Sequence, residues 1–342
     1  MEVENKIFNV TVEISEYSSR TPFFWDICIF FSRLIILGPY YWKKNRIDGK
    51  VVIITGCNTG IGKETALELA KRGGKIYMAC RDYNRCEAAR LEIIKKSNNP
   101  NVFNRTLNLA SLASIKEFVT TFLNEESRLD ILINNAGIMA LPKSYTEDGF
   151  EQHIGVNHLG HFHLTNLLLE TLKSSAPSRI VVVSSLMYIL SRINKNDLNS
   201  EKSYHKYLAY SQSKLANMLF TFKLSKMLSG TGVTVNALHP GVIYTEIGRH
   251  VFLLTPFLYY FLKTPRAGAQ TSIRLAIDPA LEGVSGNCYF DCYLRLPLFP
   301  KAKNLETAEW LWNASEELVD LKSSKLHVLR LLYFFSSQTA QR

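Results

Sequence analysis

The chain has 342 residues, a formal net charge of +10 and 46% hydrophobic residues. This length and apolar content allow a substantial buried core and argue against a disordered chain. Lysine and arginine are interspersed with acidic residues rather than gathered into runs, so no nucleic-acid-binding arm is predicted. The positive charge instead suits an anionic cofactor or an anionic membrane surface.

The cysteine pattern indicates free thiols in a reducing compartment, because the chain contains no CxxC pair and no paired framework. The six cysteines are Cys28, Cys57, Cys80, Cys86, Cys288 and Cys292.

Residues 1–45 are predicted to be a separate N-terminal segment that associates with a membrane. An apolar stretch from Phe23 to Trp42 has about the length needed to cross the hydrocarbon layer. Asp26 and Arg33 interrupt it, so an interfacial position or packing on the protein is the alternative to a spanning helix. The acidic residues ahead of it argue against a cleaved signal peptide and a mitochondrial presequence.

Residues 46–320 are predicted to form one folded domain, with residues 321–342 as a C-terminal tail. Apolar runs with little alternation (KIYMAC, LDILINNAG, RIVVVSS, VTVNALHPG) alternate with longer segments of helical periodicity. Such runs are typical of strands buried on both faces of a parallel sheet. Repeated βαβ units of this kind predict an α/β fold with a Rossmann-type, doubly wound parallel sheet.

The first strand runs into a glycine-rich turn, VVIITGCNTGIGKE, with Gly56, Gly60 and Gly62. Glycines at this position let backbone N–H groups approach a diphosphate, and the following helix directs its positive N-terminus at the anion. On its own the pattern also fits a tight strand-to-helix turn.

Later motifs follow in a recognisable order: NNAG after the fourth strand, GVNHLGHF with Asn157, VVVSS with Ser185, YSQSK with Tyr210 and Lys214, and HPG. Together with the TGxxxGxG spacing, they resemble the classical short-chain dehydrogenase/reductase family over roughly residues 49–312. The resemblance implies catalytic residues Asn157, Ser185, Tyr210 and Lys214.

The residue types suit carbonyl reduction. Tyr210 and Lys214 lie four apart, on one face of a helix, so the ammonium can approach the phenol and lower its pKa. Ser185 can hold the substrate oxygen, and Asn157 can bind a water that links Lys214 to solvent. Hydride would come from the nicotinamide as Tyr210 delivers the proton.

The resemblance also implies cofactor contacts at the glycine turn and at the ends of the strands. These residues are Thr55, Gly56, Asn58, Thr59, Gly60, Ile61, Gly62, Arg81, Asn108, Leu109, Asn135, Ala136, Gly137, Tyr210, Lys214, Pro240, Gly241, Val242 and Thr245.

NADP(H) is the predicted cofactor because the second strand ends in MACRD. The position of the acid that binds a ribose hydroxyl in NAD enzymes holds Cys80, and Arg81 follows to meet a 2′-phosphate, although Asp82 is close. Asn108 stands where the family usually has aspartate, so its bond to adenine would lack a charge.

No metal site is predicted. His153, His158, His161 and His163 cluster around the start of one helix, with Glu151 the only carboxylate at ligand spacing.

Within the family, the segments GKETALELAKRGGKIYMACRD, INNAGIM, GVNHLGHFHLTNLLLETLK, LNSEKSY, YSQSKLAN and VTVNALHPGVIYTEI look very like the retinol dehydrogenase subgroup that includes retinol dehydrogenases 11 to 14, with the insect members close. The resemblance implies an apolar alcohol, aldehyde or ketone as substrate, most simply retinol and retinal. A broad carbonyl or steroid reductase and a non-catalytic NADPH-binding membrane scaffold are the alternatives. SSLMY replaces the common SSLAH, so Met187 and Tyr188 are expected to reshape the pocket.

Basic residues after the apolar stretch predict a cytosolic catalytic domain, on the endoplasmic reticulum in preference to a mitochondrial membrane. A second apolar stretch, Val251 to Lys263, is expected either to touch the lipid surface or to form a pocket wall or dimer contact; a homo-oligomer is compatible with it.

Overall fold

The computed structural model describes residues 38–243, 262–296 and 298–339. The predictions for residues 23–37 of the first apolar stretch, for Thr245, and for residues 251–261 of the second apolar stretch lie outside the described residues.

Within the described ranges, eight strands form one sheet. They are β1 (Val51–Thr55), β2 (Lys75–Cys80), β3 (Val102–Thr106), β4 (Ile131–Asn134), β5 (Ser178–Val183), β6 (Val233–His239), β7 (Cys288–Phe290) and β8 (Leu294–Leu296). The order across the sheet is β3-β2-β1-β4-β5-β6-β7-β8. The strands β1 to β7 are parallel, which confirms the predicted Rossmann-type fold. The last strand, β8, turns back antiparallel to β7.

Helices cover both faces of the sheet. They are α1 (Gly60–Lys71), α2 (Tyr83–Ser97), α3 (Leu112–Glu125), α4 (Gln152–Ile154), α5 (Gly160–Leu167), α6 (Leu169–Ser174), α7 (Lys206–Met227), α8 (Pro265–Ile277), α9 (Leu305–Leu318) and α10 (Leu321–Thr339). A π-helical turn, Gly155–Leu159, joins α4 to α5.

Each face of the sheet has its own apolar core because consecutive strand residues point to opposite sides. Ile53 of β1 packs in the core beneath α3, α5 and α7, whereas Ile54 packs in the core beneath α1, α2 and α8. Leu321 and Val328 of α10 join the first of these cores. The segment predicted as a tail therefore packs on the domain through its first turns.

The end of the first apolar stretch lies against the domain. Tyr41 is buried, and its N–H donates to Gln270 Oε1 of α8 at 3.1 Å. Lys43 forms an ion pair of 3.0 Å with the buried carboxylate of Asp278. Tyr41 and Lys43 thus fix this part of the chain to the domain. None of the helices in the described ranges is both long enough and apolar enough to cross a membrane.

Candidate active site

The predicted site residues lie where the parallel strands end at their carboxyl edge. The sheet order reverses direction between β1 and β4, and in open α/β sheets ligands bind in the crevice at such a switch point. The glycine turn follows β1, the NNAG turn follows β4, Ser185 follows β5, and Pro240 and Gly241 follow β6. The fold therefore brings four sequence motifs to one edge.

The glycine turn is shaped by two residues with left-handed backbone, Gly56 (φ +63°) and Gly60 (φ +58°). Gly62 is needed for a different reason: a Cβ there would lie 2.6 Å from the Gly56 carbonyl oxygen and 2.8 Å from the Cys57 Cα. Side chains are thus disfavoured by conformation at Gly56 and Gly60 and by contact at Gly62.

The N-terminus of α1 suits an anion. Thr59 is the N-cap residue, but its side chain makes no capping hydrogen bond, and the first turn of α1 carries no acidic residue. The backbone N–H groups at this helix start are therefore not used by a side-chain cap, and the helix dipole favours negative charge there. A dinucleotide phosphate fits this arrangement.

Thr55 ties the glycine turn to the NNAG turn. Its Oγ1 accepts the N–H groups of Asn135 and Ala136, each at 2.9 Å. In return, the Asn135 side-chain amide donates to the Thr55 carbonyl at 2.8 Å and to the Gly56 carbonyl at 3.1 Å. Two predicted cofactor-binding segments are consequently held as one rigid unit.

The proposed proton donor and its lysine lie in α7. Tyr210 and Lys214 are both buried, and the Lys214 Nζ lies 5.7 Å from the centre of the Tyr210 ring. The ammonium donates to the Val183 carbonyl at the end of β5, at 3.0 Å. Ser185, two residues further, hydrogen-bonds to Tyr210. Three of the four predicted catalytic side chains are therefore brought together.

Burial controls the protonation of this pair. Burial raises the pKa of Tyr210 to about 12, and the hydrogen bond with Ser185 only partly opposes it. Burial also lowers the pKa of the Lys214 ammonium to about 8. The pKa of Tyr210 is thus raised rather than lowered as predicted from Lys214, because desolvation of the phenolate is the largest cause.

Asn157 lies in the π-helical turn, a feature often found at functional sites. Its side-chain oxygen accepts the Ile138 N–H at 2.9 Å, and its amide donates to the Ile138 carbonyl at 3.0 Å and to Ser213 Oγ at 2.9 Å. Its side chain is thus engaged with the loop after NNAG and with Ser213 of α7.

Residues after the second and third strands have defined roles in the turns. Asp82 caps α2, where its carboxylate accepts the Arg85 N–H at 3.0 Å, while Arg81 is exposed. Asn108 accepts the Ala110 N–H at 3.1 Å and donates to Glu147 at 2.8 Å. The amide oxygen that was expected to contact adenine thus already holds its own turn.

Three of the four clustered histidines hydrogen-bond to different partners. His158 meets Ser315 of α9, His153 meets Glu151, and His161 bridges Thr55 Oγ1 (2.9 Å) and the Asn157 carbonyl (3.1 Å). Burial lowers the pKa of His161 to about 4, so its ring is neutral at physiological pH. Sequence reasoning missed the His161 bridge because no local pattern shows which two segments a buried imidazole joins.

Lys263 was also missed as a site residue. Its side chain is buried, forms an ion pair with Asp291, and lies against Gly241, where a Cβ would come within 2.8 Å of it. Gly241 has a left-handed backbone (φ +98°), so the turn after β6 depends on glycine there. Val242, predicted to touch the cofactor, is exposed.

Comparison with known proteins agrees with this geometry. A family profile described as short chain dehydrogenase matches residues 50–253. Mouse retinol dehydrogenase 13 is 52% identical over 289 residues, which cover 82% of this chain and 86% of that protein. Human retinol dehydrogenase 12 is 50% identical, covering 86% of this chain and 96% of that protein.

Solved structures show the same fold. A putative uncharacterized protein from Mycobacterium paratuberculosis superposes with a TM-score of 0.67 at 37% identity, covering 83% of this chain and 98% of that one. RhlG of Pseudomonas aeruginosa, solved as an active-site complex with NADP, superposes with a TM-score of 0.59 at 25% identity, covering 71% and 94%. With its parallel sheet, glycine turn and Ser185–Tyr210–Lys214 cluster, the chain belongs to the short-chain dehydrogenase family of NAD(P)(H)-dependent oxidoreductases.

Proposed function

We propose that this protein is an NADP(H)-dependent oxidoreductase that interconverts an apolar alcohol and its carbonyl compound, with retinol and retinal as the substrate class. One observation carries the proposal: the buried cluster of Ser185, Tyr210 and Lys214 lies at the same sheet edge as the uncapped N-terminus of α1. That arrangement sets a proton donor beside a dinucleotide-binding turn.

Each side chain has a role that its environment favours. Tyr210, kept protonated by burial, donates the proton to the carbonyl oxygen, and Ser185 holds that oxygen by a second hydrogen bond. Lys214, anchored on the Val183 carbonyl, places a positive charge near the phenol. When bound, the nicotinamide supplies the hydride. Asn157 keeps the loop at Ile138 in place through its side chain.

NADP(H) is proposed over NAD(H) because of the residues that follow β2. Arg81 is exposed at the end of that strand, where a guanidinium can meet a 2′-phosphate. The nearby carboxylate of Asp82 accepts a backbone N–H as the cap of α2. It is therefore engaged away from the ribose, which removes the main reason to favour NAD(H). The NADP complex of RhlG supports the same preference.

The substrate class rests on the curated relatives, which are named retinol dehydrogenases, and on the apolar residues after the NNAG turn, Ile138 and Met139, which are half-buried. Tyr188 is buried and packs edge-on against Phe299, with ring centres 6.3 Å apart. We infer that its effect on the pocket acts through the position of Phe299.

We also propose that residues 1–45 hold the domain at a membrane, with the catalytic domain (residues 46–320) and the C-terminal residues 321–342 on the cytosolic side of the endoplasmic reticulum. The burial of Tyr41 and the ion pair of Lys43 support a short, stiff connection. Alkaline carbonate extraction and protease treatment of intact microsomes test both parts. Release of the protein into the carbonate wash would contradict the membrane anchor. Protection of the catalytic domain from protease would contradict its cytosolic orientation.

The test of function is a turnover assay of the purified full chain with NADPH or NADH against all-trans-retinal, a steroid ketone and a medium-chain aldehyde. We expect retinal reduction that is faster with NADPH than with NADH. Preference for the steroid or a similar rate on all three would favour a broad carbonyl or steroid reductase. NADPH binding without turnover of any of them would favour a non-catalytic scaffold.

A further inference from the structure

A loop of residues 138–141, which follows the NNAG turn, is held on both sides by side chains from other elements. Asn157 binds both the N–H and the carbonyl of Ile138. At the other end, Tyr204 Oη donates to the Leu141 carbonyl at 2.6 Å, and the Leu141 N–H donates to His153 Nε2 over 3.4 Å. Four backbone groups of this short loop are thereby paired.

The backbone conformation of this loop requires such support. Ala140, between the two paired residues, has a left-handed backbone (φ +56°) although it is not glycine, and it is buried. A non-glycine residue stays in this region only where its surroundings hold it, and such positions cluster at functional sites. The contacts at Ile138 and Leu141 supply that support.

His153 is fixed by a fully buried carboxylate. Glu151 Oε1 lies 2.7 Å from His153 Nδ1, and the two oxygens of Glu151 also accept the N–H groups of His153 (3.0 Å) and Ile154 (3.1 Å). With Nδ1–H donating to the carboxylate, Nε2 is left as an acceptor, which is the role that the Leu141 N–H needs. The carboxylate thus selects the tautomer that can hold the loop.

The same imidazole touches the proposed proton donor. The His153 ring meets the Tyr210 ring at 74° with centres 6.3 Å apart, and it stacks on Tyr204 with centres 6.4 Å apart. One buried ring therefore contacts both Tyr210 and the residue that holds Leu141.

We propose that Glu151 and His153 form a positioning pair that fixes the Tyr210 ring relative to a preorganised apolar wall, residues 138–141, against which the substrate lies. This rests on the proposed function for its kinetic consequences. The pair touches neither the glycine turn nor Arg81, so it acts on the carbonyl substrate and the proton donor while cofactor affinity is left unchanged.

The kinetic test compares three variants of the full-length protein. His153→Phe keeps a ring against Tyr210 but removes both nitrogen contacts, and it should lower kcat for retinal by about tenfold or more with the NADPH Kd within about twofold of wild type. His153→Gln, whose amide oxygen can accept from Leu141, should recover part of that loss. Tyr204→Phe should raise KM for retinal.

His158→Phe is the matched control, because it removes a buried histidine of the same segment whose hydrogen bond goes to Ser315 instead. It should leave kcat within about twofold of wild type. An equal fall in kcat for His158→Phe and His153→Phe, or an unchanged kcat for folded His153→Phe, would overturn the proposal.

Hydrogen exchange of the Ile138 and Leu141 amides gives a readout that needs no turnover. Protection of the Leu141 amide should be lost in His153→Phe, which removes its acceptor nitrogen, and kept in His158→Phe. Unchanged Leu141 protection in His153→Phe would contradict the pair's role. A wild-type protein that reduces no substrate yet shows this exchange pattern would refute the proposed function and keep the positioning pair.

Discussion

The two halves of the site are fixed by different physical means. At the glycine turn, backbone conformation decides the geometry: Gly56 and Gly60 are left-handed, and Gly62 has no room for a side chain. At α7, burial decides the chemistry, because it keeps Tyr210 protonated and weakens the hold of Lys214 on its proton. The difference implies that cofactor binding and proton transfer can be damaged separately.

Tyr210→Phe should impair the chemical step without impairing cofactor binding. Removing the hydroxyl takes away the proton donor, so kcat for retinal reduction should fall by about 10²- to 10⁴-fold. NADPH affinity should stay close to that of wild type, because the ring remains packed against His153. Steady-state kinetics beside an NADPH fluorescence titration measures both quantities, and a parallel loss of binding would show that the halves are not separable.

Gly62→Ala should impair cofactor binding. A Cβ 2.6 Å from a backbone oxygen displaces the turn, and we expect NADPH affinity to fall by about a hundredfold or more. Gly230→Ala is the control, since that glycine is left-handed (φ +81°) with no atom close enough to meet a Cβ. It should cost stability only. Equal loss of NADPH affinity in both variants would point to general destabilisation.

Arg81→Ala should alter cofactor choice without altering chemistry. Loss of a charge-assisted contact to a 2′-phosphate corresponds to about tenfold to a hundredfold weaker NADPH binding, with the NADH constant nearly unchanged. Lys95→Ala removes one exposed positive charge from the last turn of α2 and serves as the control. If the affinities for NADPH and NADH fall equally in Arg81→Ala, another residue must bind the 2′-phosphate.

The pH dependence of reduction should follow Lys214 on the alkaline side. Its ammonium loses the proton near pH 8, whereas Tyr210 keeps its proton until about pH 12. The rate should therefore be highest below about pH 8 and decline above it. Lys214→Arg, which stays charged, should lower the maximal rate and move the alkaline fall in rate to higher pH. If the pH of that fall does not change, another group is responsible for it.

Local sequence patterns predicted the fold and the backbone of the site well. The strand runs and the glycine spacing gave the parallel order and the turn after β1, because both depend on short-range rules of burial and conformation. The pKa of Tyr210 was predicted in the wrong direction, since it depends on how deeply α7 is covered. His161, Lys263 and the hold of His153 on Leu141 depend on contacts between distant segments, which one sequence does not reveal.

The central claim is that this site transfers hydride from NADPH to an apolar carbonyl. The most direct measurement is mass spectrometry of the alcohol formed when the purified protein, NADPH deuterated at the transferring C4 position and all-trans-retinal are incubated together. We predict that wild type forms retinol with a single deuterium on the carbinol carbon and that Tyr210→Phe forms far less of it. Tight NADPH binding with no deuterated alcohol from wild type would contradict the account.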